Sequence, residues 1–243
     1  MIRAFRCALA AGLTAAVVAA CSPGGPVVGN EEKTGEWVKK ELLKVEAEGG
    51  ALGEVFAALR TAEPEIYEKL IDAATRGAAA GRSPFEAGAE VRPLYLARFT
   101  ELGKTAADGD INELLDFSGD QMGALMAIDP QLCVTIATGG ADARVQQLPK
   151  PMQEREMQVM ARIIRAGEQD GAGASLEELG AWITKFSGAH PEAAQALGMM
   201  GTPSPTDEQA KAICEGNIAM TDALGEEEPA MRAKLFRGLL QQS

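Results

Sequence analysis

Aromatic residues are scarce in this chain: two Trp, two Tyr and seven Phe make up 5 % of it. β-Sandwiches and barrels favour aromatic and β-branched residues. Here the β-branched residues are scattered, and no alternating strand pattern persists. Histidine occurs once, at His190, and there is no CxxC pair. The common ligand sets of structural zinc are therefore missing, and no metal is expected. There is no Gly-x-Ser-x-Gly elbow, no phosphate loop and no HExxH, so no cofactor and no catalytic residue is assigned. Beyond the amino terminus no apolar run approaches the roughly 20 residues that span a bilayer as a helix.

The first twenty residues form a separate unit. Arg3 and Arg6 give a positive start, and Cys7 to Ala20 is a run of Ala, Leu and Val in which Thr14 is the only hydroxyl. That run is too short to cross a membrane and has the build of a removable export signal. It ends in Val18-Ala19-Ala20-Cys21, an aliphatic residue, two small residues and a cysteine.

These residues resemble the lipobox of bacterial lipoproteins, and the resemblance covers residues 1–21 only. It implies cleavage before Cys21, a diacylglyceryl thioether on its sulfur and acylation of its amine. Two or more acyl chains give a stable anchor, at about 0.8 kcal/mol per buried methylene. Ser22 is not the Asp associated with inner-membrane retention, which implies the outer membrane, facing the periplasm. Ser22 to Asn30 is rich in Pro and Gly and uncharged, and reads as a tether on the order of 15–20 Å long.

The signal carries two of the 23 basic residues and none of the 35 acids, so the remainder holds 21 against 35, a formal charge of −14. Such a chain repels nucleic-acid phosphates and anionic lipid surfaces, and no nucleic-acid partner is expected. Four cysteines are present. Cys7 leaves with the signal and Cys21 is the lipidation site. Cys133 and Cys214 remain, both in apolar helical surroundings, and an oxidising envelope favours a disulfide between them; two separate buried thiols are the alternative.

Residues 31–243 are expected to form a single all-α domain, a globular bundle of about eight to eleven helices with short Gly/Pro loops. Helix starts are marked by Ser83-Pro84-Phe85-Glu86, Asp129-Pro130, Ser175-Leu176-Glu177-Glu178, His190-Pro191 and Thr206-Asp207-Glu208-Gln209. Glu63-Pro64 and Glu228-Pro229 place carboxylates at the positive end of a helix dipole. Trp37, Leu42, Leu43 and Val45 mark a first amphipathic segment, and apolar residues recur at helical spacing in Val91, Leu94, Tyr95, Ala97, Phe99 and Leu102, and in Leu176, Leu179, Trp182 and Phe186. Pro93 is expected to kink or split its helix. Cys133 to Ala137 is expected at the centre of the core. Gly, Gln and Pro cluster near 139–151, where a subdivision is possible in principle.

Asp108-Gly109-Asp110-Ile111-Asn112 begins like a calcium loop, then has Glu113 where Gly is required and Gly119 where a bidentate Glu is required. It reads as a polar turn entering a helix. His190 reads as a helix cap. The function expected is that of a lipid-anchored envelope protein acting through contacts with an unknown envelope protein. The alternative is an envelope hydrolase acting on wall glycan or peptide through paired carboxylates. An apolar ligand carrier is a third option.

Overall fold

A computed structural model of the protein describes residues 31–82 and 84–242. The signal, Cys21, the tether and Ser83 lie outside the described residues. Within them there are eleven α-helices and no strand. The helices are α1 (Glu31–Glu48), α2 (Gly50–Ala62), α3 (Pro64–Ala79), α4 (Pro84–Gly103), α5 (Asp108–Ile128), α6 (Pro130–Ala137), α7 (Lys150–Ala166), α8 (Leu176–Ala189), α9 (Pro191–Gly198), α10 (Asp207–Gly225) and α11 (Pro229–Gln241). A 3₁₀ turn, Ala143–Gln147, precedes α7. No helix among the described residues is long and apolar enough to cross a membrane.

Local chemistry sets several boundaries. Asp129 Oδ1 accepts from the Gln131 amide at 2.8 Å and caps α6. Ser175 with Glu178, and Thr206 with Gln209, form complete capping boxes at the starts of α8 and α10. His190 does occupy the N-cap of α9, but its side chain makes no capping bond. Its ring instead stacks on Phe186, with centroids 5.2 Å apart. Pro93 does not divide α4, which runs unbroken past it. The ring is exposed, so the backbone carbonyl it deprives of a helical partner lies on the side that water reaches.

Two apolar clusters hold the helices together. The larger runs from Val38 in α1 to Leu240 in α11, and includes Phe56, Leu59, Leu115, Met160 and Phe236 at full or nearly full burial. Each such side chain stabilises the fold by about 1.5–3 kcal/mol before entropy is counted. The second gathers Met122 and Leu125 of α5, Leu132, Cys133 and Ile136 of α6, and Ile213 and Cys214 of α10. Val145 and Leu148 join it, so residues near 139–151 pack inward at two points. Cys133 and Cys214 form a disulfide across this cluster, with Cα atoms 6.3 Å apart.

Helix α2 packs along α7, α1 and α4 flank α3, and α5 touches α6, α7, α10 and α11. Gly77 lets α3 approach α4 closely: a Cβ there would stand 2.5 Å from the Cβ of Ala87. Arg237 of α11 is buried, donating to the carbonyls of Ala172 at 2.9 Å and Ala106 at 2.8 Å and pairing with Asp108 at 2.7 Å. One guanidinium thus fastens the loops before α5 and α8 to the last helix.

Candidate functional site

The helical stripe read from α4 is wider than the face the helix buries. Val91, Tyr95, Phe99 and Leu102 are buried, whereas Leu94 is 46 % exposed and Pro93 and Ala97 also face out. These three residues form one wall of a groove of about 710 Å³. The other wall is the first turns of α3, with Pro64, Glu65, Ile66 and Lys69. Pro64 and Pro93 are both exposed and present apolar ring surface to the groove.

Charge surrounds this apolar floor. Arg98 donates to Glu63 at 2.7 Å and to Glu168 at 3.0 Å. Those hydrogen bonds, Glu63 first, hold the Arg98 guanidinium above its ordinary pKa. Glu101 pairs with Lys104 at 2.6 Å. Glu65 and Lys69, both exposed, have no ion-pair partner among the described residues.

The place of the groove relative to the chain's start is defined by α1. A Cβ on Gly35 would stand 3.6 Å from Thr75, and Lys39 pairs with Glu68 at 3.4 Å. The two helices therefore run in opposite directions, and α1 begins beside the C-terminal half of α3. The groove lies at the other end of α3, about 15 Å away at 1.5 Å per residue.

A second polar constellation is enclosed. Arg92 and Tyr95 of α4, Gln121 of α5 and Glu156 of α7 are all buried. Gln121 Nε2 donates to Glu156 at 3.3 Å, and Arg92 Nε donates to the Gly139 carbonyl at 3.3 Å. Burial, reinforced by the charge of Glu156, pushes the Tyr95 hydroxyl well above its ordinary pKa, with Arg92 opposing. The Tyr95 hydroxyl and Gln121 Oε1 find no hydrogen-bond partner among the described residues. The layer is thus partly satisfied, and its hydrogen bonds tie α5 to α7 and α4 to the loop at Gly139. Pattern reading passes over it, because charged residues are assigned to the surface by default.

The remaining sequence candidates occupy structural places. Asp110 and Glu113 both pair with Arg162, and Asn112 donates to the Pro229 carbonyl at 3.1 Å. Tyr67, Tyr95 and Trp182 are buried, and Trp37 is partly buried. Glu90, Asp129, Asp142 and Glu178 titrate below the ordinary carboxylate range. The leading cause is Arg82 for Glu90, the Gln131 amide for Asp129, Arg144 for Asp142 and Lys234 for Glu178. A carboxylate held ionised in this way is a poor proton donor near neutrality. No group of three or more His, Cys, Asp or Glu among the described residues is placed to hold a metal ion.

No protein-family model matches this chain, and no curated protein or solved structure is significantly similar to it.

Proposed function

We propose that the protein is a lipid-anchored component of the bacterial cell envelope that works by docking another protein in the α3/α4 groove. The supporting observation is Leu94, a large apolar side chain left 46 % exposed beside Pro93 and Ala97 in an open groove ringed by charge. Apolar centres with polar rims are the usual anatomy of protein-binding surfaces. The lipobox-like Cys21 supplies the anchor. The first described helix, α1, begins beside the C-terminal half of α3, so the groove lies at the end of α3 away from that start.

A photoreactive residue placed at Ala97 of the full chain tests this in intact cells of the native host. Illumination is expected to give a discrete protein adduct in the membrane fraction, and Leu94→Asp is expected to abolish it while leaving the far-UV circular dichroism unchanged. A complete lack of adduct, or an adduct indifferent to Leu94→Asp, would contradict docking in this groove.

A further inference from the structure

We infer that the occupant of the α3/α4 groove is a second copy of the same chain, paired through a two-fold axis; this rests on the docking role just proposed. Glu65 and Lys69 lie four residues apart on α3, one above the other on the same exposed face of the helix. Both line the groove, and neither has an ion-pair partner among the described residues. Nearby charges are already matched: Glu63 and Glu168 on Arg98, Glu101 on Lys104, Glu68 on Lys39.

An unmatched acid and base at this spacing are complementary to themselves. When two α3 helices meet antiparallel about an axis between these residues, Glu65 of each copy faces Lys69 of the other. Two ion pairs form by symmetry, and the apolar wall of Pro93, Leu94 and Ala97 is covered from both sides. A two-fold interface is the commonest way for identical chains to associate, because each residue meets its counterpart's partner. The formal charge of −14 opposes pairing through the bulk of the molecule. Attachment to one membrane offsets that repulsion by confining the copies to a thin layer at high effective concentration, while salt screens charges more than about 8 Å apart.

The test uses the full chain in host membranes with the photoreactive residue at Ala97. The expected product is an adduct of two chains, joined within residues 63–101 of both. Glu65→Lys places four cations at the interface and is expected to reduce that adduct several-fold. Adding Lys69→Glu to the same chain reverses the polarity of the pair and is expected to restore it. Co-expressed with an untouched chain bearing a different tag, the doubly swapped chain is expected to pair with itself and not with the other. Matching thermal melts would show that the exposed substitutions leave the fold intact. An adduct with a different protein at the same position would overturn self-pairing while upholding the groove as a docking site. A two-chain adduct unchanged by Glu65→Lys would also overturn it, and no adduct of any kind would remove both readings.

Discussion

Arg98 Nε donates to Glu63 Oε1 at 2.7 Å, joining α4 to the turn between α2 and α3 at the edge of the groove. The Glu63 side chain is only 15 % exposed, whereas Glu168, the second partner of Arg98, is 70 % exposed. The two pairs should therefore differ in worth. Arg98→Met leaves Glu63 without its guanidinium and is expected to cost about 1–3 kcal/mol in urea denaturation. Glu168→Gln removes a solvated partner and is expected to cost less than about 0.5 kcal/mol. Equal losses would contradict this ranking.

Gly77 and Ala87 set the distance between α3 and α4. A methyl group at Gly77 would meet the Ala87 methyl at 2.5 Å, far inside contact distance. Overpacking of this kind costs about 1–3 kcal/mol, against about 1 kcal/mol gained from replacing a helical Gly by Ala. Gly77→Ala is thus expected to lower the melting temperature, and Ala87→Gly in the same chain to recover part of it. A stabilised single variant would show that the helices separate more freely than this contact implies.

Cys133 and Cys214 are 81 residues apart in sequence and fully buried in the second cluster. Peptide mapping without reductant is expected to recover them joined. Replacing both by Ala is expected to destabilise the fold by roughly 4–5 kcal/mol in the chain-entropy view of such a loop. Recovery of two free thiols from the native protein would refute the bridge.

Glu178 gives the fold a defined acid sensitivity. Lys234 at 2.5 Å and the Ser175 amide at 2.9 Å hold its carboxylate down at about 2, below its ordinary 4.5. A folded-state pKa below the unfolded one contributes stability above the unfolded value and loses it on acidification. The advantage of Glu178 over Glu178→Gln should therefore be constant above about pH 4.5 and shrink as the pH falls towards 2. Melting curves across that range check it, and a pH-independent difference would contradict the pairing.

How much of this was legible beforehand depended on whether the chemistry was local. Asp129, Ser175 and Thr206 announced their helices because a cap and its amide lie within three residues. With Cys7 and Cys21 assigned to the expected signal and anchor, Cys133 and Cys214 were left as either a bridge or two buried thiols, and only their packing in one cluster brings the sulfurs together. Leu94, Ala97, Leu43 and Leu176 belong to apolar helical segments yet face out, because helical spacing marks an apolar stripe without giving the width that neighbours cover; Leu43 is 51 % and Leu176 69 % exposed. The groove joins residues about thirty positions apart and carries no motif. The layer of Arg92, Gln121 and Glu156 was equally hidden, since its members become neighbours only when three helices pack.

The most direct measurement is the mass of the amino-terminal peptide of the protein isolated from its own membranes. The expected result is a chain that begins at Cys21, with residues 1–20 gone and the mass of a diacylglyceryl thioether and an amine-linked acyl chain added. A peptide that still carries residues 1–20, or one that begins at an unmodified residue, would contradict the anchored arrangement.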